Sequence, residues 1–460
     1  MTVQAVIAAN RFGLGMRRGE LDEIGQDHEG WLLAQLGPDA PAAGDALPSS
    51  AEIMREYQRL QSIQREARRS DDAERADAAA QEYRGYIRSQ FQAQATRRYS
   101  LASVTDTPFR ERLVHFWTNH FAVSADKQSV TPLVGTLEDE AIRPHVTGRF
   151  ADMLLAVEQH SAMILYLDNQ GSMGPNSRAA RAASRRGRDL GLNENLAREI
   201  LELHTLGVDG GYSQEDVTTF ATVITGWSIG GGNDRVDAGI GGEFIFRPNT
   251  HEPGAKTILG KRYSEDGVAE GEAVLADLAR HPATANFLAE KLARHFVADD
   301  PPSDLVAELA RTYLSNDGDL STVYETLIGL RDAWKEPLSK YKTPQDFLLS
   351  TYRAFNQQPD NPERMLMFLE LLGQRPYTPG SPAGWPDTMA HWDGADALIK
   401  RIEWASTIGR RIGDRVRPVE FGEAILGPVL SDHTRTAVSR AESVAQGLTL
   451  LFASPEFQRR

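Results

Sequence analysis

Apolar positions along this chain recur mostly three and four residues apart, and the gaps between runs carry helix-start signals. Thr107-Pro108, Thr343-Pro344 and Ser454-Pro455 each place a capping hydroxyl before a proline at the first helical position. Helices are therefore expected to open in "TPFRERL", "TPQDFLL" and "SPEFQRR". In "SQEDVTTFATVITGW", Ser213 is a cap with Asp216 at the third helical position, close to a capping box, which predicts a helix from about Ser213 to Trp227. Residues 51–98 are rich in Ala, Arg, Glu and Gln and read as a long solvated helical hairpin. Residues 226–263 break the pattern: Gly-rich turns flank "EFIFRP" and "KTILGKRY", predicting a small β-insert with "EPGA" as its turn. "YTPGSPAGWPDTMAHWDG", residues 377–394, has too many prolines and glycines for regular structure. The expected fold is mainly α: a large multi-helix body with a small β-hairpin insert. It is expected to form one domain over 1–460, with the insert at about 228–263 acting as a flap over a site.

Composition narrows the functional classes. Apolar residues at 41% and charged residues at 25% are those of an ordinary globular protein. A formal charge of −14 disfavours general nucleic-acid binding, which relies on a basic stripe to replace phosphate counterions. The basic insert "GPNSRAARAASRRGRDLG", with Arg178, Arg181, Arg185, Arg186 and Arg188, is a local contrast that reads as a solvated loop or short helix. No run reaches the about 18 apolar residues that suggest a membrane span. The opening "MTVQAVIAANRFGLGMRRGE" lacks the basic and apolar regions of a signal peptide, so a cytoplasmic location is expected, or an exported one if a signal has been removed. With no cysteine, disulfides and thiolate chemistry are excluded, and any metal must use His, carboxylate, Asn or backbone oxygen.

The richest stretch chemically is "NENLAREILELHTLG", residues 193–207. At 100° per residue Glu194, Arg198, Glu202, Asn195 and Glu199 fall within roughly 140° of arc, opposite Leu196, Ile200 and Leu203. Glu194, Arg198 and Glu202 are two i,i+4 steps, which alone describe a weak surface ion-pair ladder. His204 falls on the apolar side, where a buried histidine must find hydrogen-bond partners, with Gly207 placed to end the helix. In "FRERLVHFWTNHF", Glu111, His115 and Asn119 form one helical stripe, while His115 and His120 are five apart and do not match an H-x-x-x-H zinc helix. "THEPGAK" groups His251, Glu252 and Lys256 around a turn, and "GWPDTMAHWDG" sets Asp387, His391 and Asp393 beside Trp385 and Trp392. Phosphate-loop, dinucleotide-loop and serine-elbow motifs are lacking.

The order and wording of "RFGLG", "HFWTNHF", "YLDN", "NENLAREILELHTLGVDGGYSQEDV", "TGW", "THEPGAKTILGK", "KLARHFVADDPP", "GWPD" and "SPEFQ" resemble the bacterial family called domain of unknown function 1800, over about Arg11 to Phe457. The resemblance implies no established reaction. It implies bacterial, often exported proteins, frequently found beside a family resembling sulfatases and phosphatases, which makes such a protein an expected partner. This chain departs in lacking an evident export signal and in its longer Arg-rich insert. The matching positions favour a shared polar pocket over a surface ladder. The expected function is hydrolysis of a sugar- or ester-like substrate, with Glu199 or Glu202 as general acid or base, Arg198 holding an anion and His204 in the proton network. Trp117, Asn119, Glu194, Lys256 and Trp385 are the candidate substrate contacts, and His115, His120 and His251 the candidate ligands of a divalent metal. The alternative is a binding or assembly protein in which the same pocket and Trp-rich loops recognise a small polar ligand.

Overall fold

A computed structural model describes residues 2–37, 47–70, 72–187, 191–231, 239, 241–359 and 361–460. Arg188 of the basic insert and residues 232–238 and 240 of the glycine-rich stretch lie outside the described residues. The chain is 64% helical, and its strands form two small antiparallel pairs. The hairpin read from composition is formed by Ser50–Ala67 and Ala73–Val104. Its first helix opens with a full capping box between Ser49 and Glu52, and Asp72 caps the second. Ile53, Tyr57, Leu60, Tyr83, Ile87 and Phe91 face the core, with the buried Arg98 as a charged exception paired to Glu138. The Thr-Pro and Ser-Pro starts hold: helices run Pro108–His120, Pro344–Ala354 and Pro455–Gln458. Ser213 and Asp216 complete a capping box, but the helix ends at Val223, because Gly226 takes a positive φ of 89° and turns the chain into a strand.

The β-insert differs in its pairing. Strand β1 (Trp227–Ile229) pairs with β2 (Phe244–Phe246), and β3 (Lys256–Ile258) with β4 (Lys261–Tyr263). "EPGA" therefore joins two separate pairs, and the tight turn is Leu259-Gly260, both at positive φ. The basic insert forms a short helix, Arg178–Ser184.

"NENLAREILELHTLG" is not one α-helix. Asn195–Glu199 is α-helical, and Ile200–His204 widens into a π-turn. A π-turn advances less than 100° per residue, so Leu201, next to Glu194 at the edge of the polar arc of an ideal helix, is buried while Leu203 is only half-buried. Two more π-turns, Ala8–Phe12 and Glu138–Ile142, carry the buried Arg11 and Glu138.

Buried apolar side chains form a cluster extending from Ala5 to Phe457. At its centre Phe12 packs on Phe109, Phe296 and Trp334, with ring centroids 5.8, 5.5 and 5.0 Å away. The surrounding arginines fasten this core to the chain's opening segment. Arg460 Nη1 donates to the carbonyl of Arg11 (3.3 Å), Arg112 Nε to that of Gly13, and Arg353 Nε to that of Gly15 (2.8 Å). Gly15 has φ +110°, and a Cβ there would collide with Ser350, so only glycine lets "RFGLG" approach the Pro344–Ala354 helix this closely. Arg353 also donates to the carbonyls of Ala102 and Thr105, both at 3.2 Å, and pairs with Glu20 at 2.9 Å. Replacing Arg353 with Met is expected to destabilise the fold by about 3–5 kcal/mol, since three carbonyls and a buried carboxylate lose their donor. Urea unfolding of the variant checks this, and an unchanged midpoint would contradict it.

Candidate active site

A cleft of about 310 Å³ opens where the Pro108–His120 helix, the Pro282–Phe296 helix and the 374–391 loop meet. The loop is pinned to the first helix by one side-chain amide. Asn119 Oδ1 accepts from the Trp385 N–H (2.7 Å), and Asn119 Nδ2 donates to the Trp385 carbonyl (2.9 Å). Gly384, at φ +82°, permits the approach, because a Cβ there would strike the Asn119 carbonyl oxygen. Lys340 Nζ holds the next turn by donating to the Asp387 carbonyl at 2.6 Å, and Trp392 Nε1 donates to the Pro386 carbonyl at 2.8 Å. This frame fixes Asp387 against the neighbouring helix.

There His295 Nδ1 donates to Asp387 Oδ2 across 2.6 Å, and His295 Nε2 has no hydrogen-bond partner among the described residues. Both residues line the cleft. Burial drives the imidazole down to about 4 against the pull of Asp387, with Arg460 adding to the drop, so His295 is neutral at pH 7. Burial opposes the charge of Asp387, but His295, Lys340 and Arg460 override it and keep the carboxylate ionised. Beside this pair Asp346 bridges Arg112 Nη2 (3.1 Å) and Arg460 Nε (3.0 Å).

The sequence-derived candidates divide by location. His115, Asn119, His120 and Trp385 line the cleft. Trp117 does not: it is fully buried beneath, and its Nε1 donates to Tyr324 Oη at 2.6 Å because the apolar side of its helix faces the core. His204, expected in the proton network, is instead buried in the core away from the cleft wall, with Nδ1 at 2.7 Å from the buried Glu158 Oε1. Its carbonyl meets His120 Nε2 at 3.1 Å. Glu194 and Arg198 pair at 3.1 Å on a half-exposed face and share Gln214, and no ion pair among the described residues continues the ladder to Glu202. Glu199 is half-buried, and desolvation raises its pKa. None of Glu194, Arg198, Glu199, Glu202 or His204 is on the cleft wall, nor is any described residue of the β-insert.

The three proposed metal histidines occupy three surroundings. His251 Nδ1 donates to the Thr225 carbonyl (2.8 Å), while Nε2 lies 3.3 Å from Glu270, whose carboxylate already holds the Lys256 ammonium at 2.9 Å. An ammonium thus fills the place a metal would take. His115 Nδ1 accepts from Gln345 Nε2 (3.0 Å), and its Nε2 faces Glu111 at 3.5 Å. Glu111, His115 and Glu138 are the grouping of metal-type donors close enough for one ion among the described residues, with ligand atoms within 4.8 Å of one another. Their geometry suits arginines instead. Arg143 binds both Glu111 oxygens (2.6 and 3.0 Å) and Glu138 (3.2 Å), and Arg98 also pairs with Glu138. Two carboxylates offset by two guanidinium groups leave no charge to hold a divalent cation.

A family model described as protein of unknown function (DUF1800) matches residues 7–459. The chain belongs to the DUF1800 family. No curated protein and no solved structure matches it. Within this DUF1800 chain, His295, Asp346 and Lys291 are cleft residues that the motifs did not single out, whereas Asp387 and His391 of the Trp-rich loop line the cleft. Asp387 was visible beside the tryptophans of "GWPD", and Lys291 and His295 are one helical turn apart in "KLARHF". No helix among the described residues is long and apolar enough to cross a membrane.

Burial also lowers His115 to about 4 and His120 well below its ordinary value. A histidine whose folded pKa is depressed makes the unfolded chain the stronger proton binder between the two pKa values. Stability is therefore full above about pH 6.5 and is lost as pH falls toward 4, each buried histidine removing up to about 1.4 kcal/mol for every pH unit crossed. Urea midpoints measured at pH 7, 5.5 and 4.5 should fall in that order. A flat series would contradict the neutral burial of these three rings.

Proposed function

We propose that this DUF1800 protein is a hydrolase acting on a polar, ester-like substrate, with His295 as its general base. The observation that carries the reading is the His295–Asp387 pair: a carboxylate fixes the Nδ1–H tautomer and leaves Nε2, buried and without a partner among the described residues, as the proton acceptor of a residue that lines the cleft. The chain has no cysteine and the lining residues include no serine, which supports water as the nucleophile. Water oxygen attacks the substrate carbonyl carbon while its proton passes to His295 Nε2. The tetrahedral oxyanion then collapses, the carbon–oxygen bond to the leaving alcohol breaks, and the imidazolium returns its proton to that alcohol. Asp387 opposes the transient positive charge on the ring. Pairing of both wall carboxylates, Asp346 and Asp387, favours a second reading in which the cleft binds a polar ligand without turnover.

A panel of p-nitrophenyl esters separates the two. Under the hydrolase reading His295→Gln lowers kcat/KM by at least about 100-fold and Asp387→Asn lowers it in the same direction. The wild-type rate should rise with pH through a midpoint of about 4 as His295 loses its proton. Undiminished turnover by His295→Gln, or no cleavage of any ester, would overturn the hydrolase assignment.

A further inference from the structure

In a chain of formal charge −14 the cleft wall reverses sign, carrying Arg98, Arg112, Lys291, Arg294 and Arg375 against Asp346 and Asp387. Three of these cations are already matched: Arg98 by Glu138, Arg112 by Asp346 and Arg294 by Glu290. Lys291 and Arg375 make no hydrogen bond through their charged groups and no ion pair among the described residues. Each instead lies over an aromatic ring, Lys291 Nζ 5.3 Å from the Phe287 centroid and Arg375 5.7 Å from that of Phe91. Arg375 is exposed, whereas Lys291 is half-buried. Lys291 and His295 are i and i+4 on the Pro282–Phe296 helix, so both side chains leave the same helical face and line the same cleft. Phe116, Val123, Pro376 and Trp385 give the remaining wall an apolar surface suited to an organic body.

From this charge reversal, the unmatched lysine and its place one turn from the imidazole, we propose that the cleft's ligand is an organic anion whose carboxylate or phosphate group is bound by Lys291. This rests on the reading of the cleft as the reaction site and names the class of substrate it takes. An oxyanion on Lys291 sits within a helical turn of His295, which brings the ester-like bond of the same molecule to the base. It also offsets the cationic surplus that, with burial, suppresses proton uptake by His295. Arg375, at the surface, draws the anion inward. Burial lowers Lys291 to about 8, with Asp387 opposing and Arg294 adding to the shift, and His120 is the nearby titratable ring. The lysine is therefore charged at pH 7 and loses its charge in mildly alkaline solution.

Isothermal titration calorimetry on the full chain, with benzoate, inorganic phosphate and neutral benzamide as probes, tests the assignment. At pH 7 benzoate, phosphate or both should bind, and the tighter of the two identifies the group as carboxylate or phosphate. Benzamide should bind at least about tenfold more weakly. Lys291→Met should weaken anion binding at least about tenfold, and Lys291→Arg should restore most of it. Raising the pH to about 9.5 should weaken anion binding in the wild type, whose lysine deprotonates, but not in Lys291→Arg. If the Met variant misfolds by circular dichroism, that pH comparison decides the question. Failure of both anions to bind, benzamide binding equal to benzoate, or a pH response shared by the Arg variant would each overturn the proposal. His295→Gln should keep anion binding while losing ester cleavage. Loss of cleavage without anion binding in the wild type would thus refute the anion and spare the base, and the reverse result would refute the base and spare the anion.

Discussion

Three buried arginines gripping alternate carbonyls of one short segment hold this protein in register. Arg460, Arg112 and Arg353 come from distant parts of the chain and donate to the carbonyls of Arg11, Gly13 and Gly15. Each carbonyl would otherwise be buried without a partner, and each guanidinium keeps a carboxylate beside it, Asp346 for Arg112 and Arg460 and Glu20 for Arg353. Arg11 extends the arrangement outward by donating to the Glu336 carbonyl and Ser339 Oγ, both at 2.6 Å. In a chain without cysteine, these charge-assisted bonds do the long-range fastening that disulfides do elsewhere.

Two of these arginines also reach the cleft, Arg112 as a lining residue and Arg460 through the lining carboxylates Asp346 and Asp387. Arg112 and Arg460 hold "RFGLG" with some of their donors and Asp346 with others, and Arg460 reaches the Asp387 carboxylate at 3.5 Å. Fold and site are thus one electrostatic unit: moving the opening segment would move the groups that set the charge on His295 and Asp387. The second buried network, Arg98, Arg143, Glu111 and Glu138 with His115, follows the same rule of matching each carboxylate with a guanidinium. Burial alone would favour the neutral form of Glu111, and Arg143 with His115 keeps it ionised. Lys291 stands out because it departs from this rule inside the cleft.

Local chemistry was legible in the sequence to the extent that it depends on neighbours along the chain. Ser-Pro and Thr-Pro starts, the Ser213–Asp216 box and the 51–98 hairpin are set by contacts within a few residues, and they were readable for that reason. The hairpin turn was misplaced because "EPGA" has ordinary turn chemistry, whereas the register is fixed by Trp227 and Phe246 across the insert. The π-turn at Ile200–His204 escapes any analysis at 100° per residue, since its cause is the burial of Leu201 and His204 by tertiary packing. His115 and His120, expected as metal ligands, and Asn119 and Trp385, expected as substrate contacts, all line the cleft, and they stood out because aromatic and amide side chains crowd their motifs. His295 and Asp387 are 92 residues apart, and their pairing exists only once Asn119 and Lys340 have folded the 377–394 loop onto the helix.

Asp387 fixes His295 as a neutral imidazole with Nδ1 protonated and Nε2 unprotonated. Imidazole ¹⁵N chemical shifts in the intact protein at pH 7, assigned through His295→Gln, test this most directly. The shifts should report a protonated, strongly hydrogen-bonded Nδ1 and an unprotonated Nε2. A ring protonated at Nε2 alone, or at both nitrogens, would contradict it.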